Sequence, residues 1–161
     1  MDRKFIEKYL NDFADLISPT SEIIDFLINV KDALVTASEN GKKGIIVGNG
    51  GSAAIASHFS VDLTKNANIR CINFNESDLI TCLSNDYGNE QWVEKAVEFY
   101  GDTGDMFIGI SSSGSSENIL NGCRAAREKN FSKVITLSGM QEENPLRQLG
   151  DINLWVNSMA Y

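Results

Sequence analysis

Two stretches of this chain run from a short apolar segment straight into glycine and serine at the start of a helical pattern. The first is Gly44-Ile45-Ile46-Val47 followed by Gly48-Asn49-Gly50-Gly51-Ser52-Ala53-Ala54. The second is Met106-Phe107-Ile108-Gly109-Ile110 followed by Ser111-Ser112-Ser113-Gly114-Ser115-Ser116. A helix N-terminus leaves backbone N–H groups without partners and carries roughly half a positive charge, so it attracts anions. Glycine lets the backbone approach the anion closely, and serine hydroxyls add donors without bulk. Five serines lie between Ser111 and Ser116, and a cluster of neutral donors suits the many acceptor positions of a phosphate. A turn that merely needs glycine accounts for one such loop but poorly for two filled with serine. Together they point to a phosphorylated small molecule held between them.

Other anion chemistries fit less well. Gly48, Gly50 and Ala53 satisfy a loose dinucleotide-binding pattern, but that fold wants an acid at the end of the next strand to hold a ribose. Only Glu76 is near, and it comes late. No Gly-Lys-Ser/Thr follows the glycines, which excludes a P-loop. Cys71, Cys82 and Cys123 are odd in number and lack any Cys-x-x-Cys spacing, so they are expected as small reduced core residues of a cytoplasmic protein rather than a disulfide or zinc framework.

The elements that must position these loops follow from the apolar pattern. Phe5, Tyr9, Phe13 and Leu16 lie at helical spacing over 5–17. Pro19-Thr20-Ser21 breaks that helix, and Ser21 is expected to cap a long one running to about Asn40. The apolar residues of the second helix exceed one stripe, which predicts burial on two sides, against the sheet and against a partner. Strands are expected at Gly44–Val47, Ile69–Phe74, Met106–Ile110, Lys133–Leu137 and Ile152–Val156, as continuous apolar runs buried on both faces. Helices over Ser52–Asn66, Asn89–Tyr100 and Ser116–Lys129 separate them. The alternation predicts an α/β fold, a parallel sheet with helices on both sides.

The chain has 161 residues, long enough for one domain with a proper core and too short for two ordinary ones. A net charge of −8 argues against nucleic acid or an anionic membrane as the main partner. An anionic ligand must then be held by local dipoles rather than by the overall field. No apolar run approaches the roughly 20 residues of a membrane span, and Met1-Asp2-Arg3-Lys4-Phe5 leads into no signal-peptide core.

Four ordered motifs resemble the phosphoheptose isomerases of the sugar isomerase (SIS) domain family. Gly48 to Ala54 with His58-Phe59 and Asp62-Leu63-Thr64 is similar to the family's first motif, and Asn85-Asp86-Tyr87-Gly88 with Glu90 to its second. Ile110 to Asn118 resembles its phosphate loop, and Val134-Ile135-Thr136-Leu137-Ser138-Gly139 fits the strand after it. The resemblance implies a three-layer α/β/α sandwich with a five-stranded parallel, flavodoxin-like sheet, a single SIS domain over 1–161 with N-terminal helices over 1–40. It also implies a homotetramer with sites shared between subunits. The implied activity interconverts sedoheptulose 7-phosphate and a glycero-manno-heptose 7-phosphate in the cytoplasm, for surface polysaccharide synthesis.

Carried onto this chain, Gly50, Gly51, Ser52, Ser111, Ser112, Ser113 and Ser116 would bind the phosphate end and nearby sugar oxygens, with Asn49 and Asp86 on sugar hydroxyls. His58 and Asp62 take the places of the family's helix-borne His and Glu, the latter a proton-transfer residue. Moving a carbonyl between C1 and C2 through an enediol needs a base for the C–H proton and an acid for oxygen. The i,i+4 spacing of His58 and Asp62 puts both on one helix face, with Ile55, Phe59 and Leu63 expected on an adjoining core-facing stripe.

Two departures stand out. Asp62 is one methylene shorter than the family's Glu. The family continues into a last helix bearing Asp, Gln and a catalytic His, whereas here His58 is the sole histidine. A truncated chain, nearly inactive by itself, is the expectation, and a non-catalytic SIS module that binds a sugar phosphate or a protein partner is the alternative. The resemblance requires no cofactor. It leaves room for zinc on His58 and Asp62 only where a C-terminal helix completes the site, since two ligands make a poor one.

Overall fold

In the computed structural model, residues 2–159 are described; Met1, Ala160 and Tyr161, the ends of the expected domain, lie outside them. Two helices come first, α1 (Arg3–Leu16) and α2 (Ser21–Glu39). After them β1 (Gly44–Gly48) leads to α3 (Gly51–Asn66), and β2 (Cys71–Ile72) to α4 (Ser77–Tyr87) and α5 (Trp92–Tyr100). Then β3 (Met106–Ser111) leads to α6 (Glu117–Glu128), β4 (Lys133–Ser138) to α7 (Pro145–Leu149), and β5 (Ile152–Trp155) closes the sheet. All pairings are parallel, in the order β2-β1-β3-β4-β5. This is the expected flavodoxin-like sandwich.

The apolar runs of the central strands serve two cores at once, because successive side chains point to opposite faces. Ile45, Val47, Phe107 and Val134 face one core with α4, α5, α6 and α7. Ile46, Met106, Ile108 and Ile135 face the other, which includes Phe26 and Leu34 of α2 and Ala56 of α3. β1 thus sends its helix to one face and β3 sends α6 to the other.

Several expectations are corrected. The strand expected over Ile69–Phe74 shortens to Cys71–Ile72, paired with Gly44 and Ile45. Side chains take over from the ladder there. Thr64 Oγ1 accepts from Cys71 N at 3.0 Å, Asn73 Nδ2 donates to Ser60 Oγ at 2.9 Å, and Asn75 N donates to Asn73 Oδ1 at 3.0 Å. Helices α4 and α7 were not expected, and α5 starts later than Asn89. Thr20 rather than Ser21 caps α2, its hydroxyl accepting from Ile23 N at 3.3 Å.

Within one chain α2 buries only Phe26, Leu34 and Ala37, so a single face is covered, and α1 buries nothing. On α3 the core side holds Ala56 and Ser60, not Ile55 and Phe59, which are exposed. Close to β1 the helix admits only small side chains beneath it, while Leu63, further along, packs against the core as expected. Cys71 and Cys123 are core residues whose thiols burial pushes up to about 12, whereas Cys82 is exposed on α4. Among the described residues no helix is long and apolar enough to cross a membrane.

Candidate functional site

The strand order reverses between β1 and β3, which lie side by side with Gly48 opposite Ile110. In an open parallel sheet the crevice beyond the strand ends at such a reversal is where ligands bind. Both glycine- and serine-rich loops open there, and each starts a helix, α3 on one side and α6 on the other. Between them lies a cavity of about 430 Å³. Asn49, Gly51, Ser52, Ser111, Ser112, Ser113 and Ser116 line it, with Ile55 and Ile110 at its apolar wall. Seven of the expected binding residues are therefore brought together, and none of the lining side chains is charged.

Glycine is required at two places in this arrangement. A Cβ on Gly48 would lie 2.7 Å from both the carbonyl carbon and the Cβ of Ser52, so the first turn of α3 could not sit against β1. Gly50, with φ of 53°, turns the chain into α3 through the left-handed region. It acts through its backbone and does not line the cavity.

The serines divide their tasks. Ser111, buried at the end of β3, shares a 3.0 Å hydrogen bond with the Ser116 hydroxyl. Ser116 is the N-cap of α6 but makes no side-chain capping bond, leaving the first-turn N–H groups free of it. Ser113 Oγ accepts from Ser115 Oγ at 2.9 Å. Asn49 Nδ2 donates to Asn118 Oδ1 at 3.0 Å, and Asn118 Nδ2 returns a bond to Asn49 Oδ1 at 2.9 Å. This amide pair ties the two loops across the cavity and leaves Asn49 one N–H for a ligand. The arrangement offers hydroxyls, amides and two helix starts to an anion, and no cation lines it.

His58, Asp62 and Asp86 lie outside the cup. His58 Nε2 and Asp62 Oδ2 are 3.5 Å apart on α3, with side chains 81% and 50% exposed. Asp62 also accepts from Asn66 Nδ2 at 3.1 Å. At about 1.5 Å of rise per residue, His58 and Asp62 stand roughly 9 and 15 Å beyond Ser52 along the helix axis. Asp86, near the end of α4, is exposed and accepts from Asn85 Nδ2 at 2.9 Å.

Among the described residues no group of three or more His, Cys, Asp and Glu side chains comes together as a metal site. One imidazole and one carboxylate fall short of the four ligands of a zinc centre. Sequence reasoning missed the pairing role of Asn118. A buried amide must find a partner, but α6 also carries Glu117, Asn121, Arg124, Arg127 and Glu128, so nothing in the residue pattern marked this amide as buried.

A model of the SIS domain family matches residues 8–139. This chain belongs to the SIS domain family. Along its whole length it is 32% identical to the phosphoheptose isomerase of Yersinia enterocolitica, covering 86% of that protein. Over 76% of its length it is 40% identical to the phosphoheptose isomerase of Helicobacter hepaticus, and this match spans 65% of that relative. A solved phosphoheptose isomerase from Francisella tularensis superposes with a TM-score of 0.83 at 28% identity, over 98% of this chain and 84% of that one. The SIS cup described above thus sits in the phosphoheptose isomerase branch of the family.

Proposed function

We propose that this SIS protein is an aldose–ketose isomerase that interconverts sedoheptulose 7-phosphate and a glycero-manno-heptose 7-phosphate. The separation between the neutral phosphate cradle and the His58–Asp62 pair carries this reading. A seven-carbon sugar phosphorylated at C7 reacts at its far end, C1 and C2, so anchor and acid/base pair must stand apart. On α3 they do, with Ser52 at the helix start and His58 and Asp62 one and a half to three turns further on. The names of the matched relatives support the same substrate.

In this reading Ser52, Ser111, Ser112, Ser113 and Ser116 hold the phosphate with the backbone at Gly51, which the turn at Gly50 brings into place. Asn49 and Asp86 meet sugar hydroxyls. Asp62 takes the carbon-bound proton from C1 of the ketose and returns it to C2. His58 attends the proton that shifts between the two oxygens, so the enediol forms and collapses with no net change in composition. The protein works as one SIS domain in the cytoplasm and as a homotetramer. The exposed pair on α3 is what a neighbouring subunit would enclose.

The test is isomerisation of sedoheptulose 7-phosphate followed by NMR, on the chain and on a version extended by a C-terminal helix of the family's kind. Asp62→Asn, in whichever form turns over, is expected to lose a factor of about 10²–10⁴ in rate while still binding the sugar phosphate. Wild-type turnover in Asp62→Asn would remove Asp62 from the chemistry.

A further inference from the structure

An anion cradle built from backbone needs its carbonyl oxygens turned away from the ligand, because a loop presents either its donors or its acceptors at a given place. In the Ser111–Ser116 loop two of those carbonyls are held from behind by the segment that follows β4. Ser112 O accepts from Gly139 N at 3.0 Å, and Gly114 O accepts from Leu146 N at 2.9 Å. Gly114 itself, with φ of 65°, is buried, and the Asn144 side chain lies nearest to where its Cβ would be. A Cβ placed on Gly114 would lie 2.1 Å from Asn144 Oδ1 and 2.6 Å from its Cβ.

Asn144 is only 2% exposed and its amide is engaged at both atoms. Nδ2 donates to Ser138 Oγ at 3.0 Å and to Gln141 O at 2.8 Å, and Oδ1 accepts from Arg147 N at 3.0 Å. The last bond caps α7. The first fixes the amide to the end of β4, where Ser138 stands opposite Ser111 in the sheet. One side chain therefore joins the end of β4, the start of α7 and the underside of the phosphate loop.

We infer that Asn144 is a positioning residue for phosphate binding: it holds the Ser111–Ser116 loop, through contact with Gly114, in the shape that directs hydroxyls and N–H groups into the cup. This rests on the reading of the cup as the phosphate site. Capping α7 is a separable duty. Serine is about as good an N-cap as asparagine, so Asn144→Ser keeps the acceptor for Arg147 N. It removes both amide donations and the bulk beneath Gly114.

The experiment is calorimetric titration of sedoheptulose 7-phosphate into wild type, Asn144→Ser and Val97→Ala, with thermal melts of each. Val97→Ala is a core truncation on α5 outside the loop and serves as a stability control. Asn144→Ser is expected to weaken binding at least tenfold, with a loss of Tm no larger than that of Val97→Ala. Val97→Ala is expected to lower Tm and leave affinity within about twofold, since deleting two buried methyl groups acts on stability. Wild-type affinity in Asn144→Ser would overturn the inference and leave Asn144 a helix cap alone. If Asn144→Ser does not fold, Gly114→Ala tests the same contact from the other side, and wild-type affinity there would overturn it equally. Absence of binding by wild type would overturn the phosphate reading itself, and the inference with it.

Discussion

Ser116 occupies the position at which a helix ordinarily takes its own serine hydroxyl as a cap, yet that hydroxyl is turned to Ser111 across the loop mouth. The consequence is local and measurable. A phosphate entering the cup finds two hydroxyls already close together and the first N–H groups of α6 without a side-chain partner. Each lost neutral hydrogen bond should weaken binding by about 0.5–1.5 kcal/mol, and one made to the charged phosphate by up to about 3. Ser112→Ala and Ser116→Ala should each show a loss in that range by calorimetric titration of sedoheptulose 7-phosphate. Unchanged affinity in both would place the phosphate elsewhere. Asp151 offers a residue-scale prediction about stability. Burial pushes its carboxyl up, but a 2.7 Å bond from Val134 N and a 2.9 Å bond from Arg127 Nη2 outweigh that and hold it below the ordinary value of 3.8. A depressed carboxylate stabilises the fold above its unfolded pKa, and that contribution fades as pH falls through the folded value. Wild type should therefore lose Tm below the carboxylate range more steeply than Asp151→Asn, and parallel Tm curves would count against this.

At the scale of elements, the contact between β1 and α3 is the most exacting. Gly48→Ala forces a methyl into the backbone of Ser52, so α3 must shift. A loss of about 1–3 kcal/mol in urea unfolding is expected, the range for overpacking, together with weaker sugar-phosphate binding. Both strand-to-helix units that form the cup were legible in the sequence because continuous apolar runs end abruptly in glycine and serine. The short β2 was not, since Ile69 to Phe74 has the right composition but Thr64, Asn73 and Asn75 draw its backbone onto α3. The brief α7 escaped notice although Asn144-Pro145 is a cap followed by the proline that suits a first helical position. Apolar content alone misplaced Ile55 on the core side of α3, where closeness to the sheet selects Ala56 and Ser60 instead. Asn118 could not be assigned its partner from spacing, because Asn49 is 69 residues away and the two meet only where β1 and β3 lie side by side.

For the whole molecule, the outer face of the N-terminal helices is the conspicuous feature. Phe5, Tyr9 and Phe13 line α1, Phe5 and Tyr9 with ring centroids 6.3 Å apart, and Leu27 and Ile28 add exposed apolar surface on α2. Apolar surface gathered in this way belongs at an interface. Light scattering at micromolar concentration should give an oligomer, and Phe13→Glu should lower its mass. A clean monomer in wild type would count against the proposed tetramer. The cup, meanwhile, has no cation, and the molecule around it carries a net charge of −8. A dianionic sugar phosphate approaches such a surface against a repulsive field, and dissolved ions weaken that field at a range of about 8–10 Å. Capture should accordingly quicken, rather than slow, as an inert salt is added, the reverse of an enzyme that steers its substrate with lysine and arginine. Stopped-flow association rates taken across ionic strength would display that inverted slope.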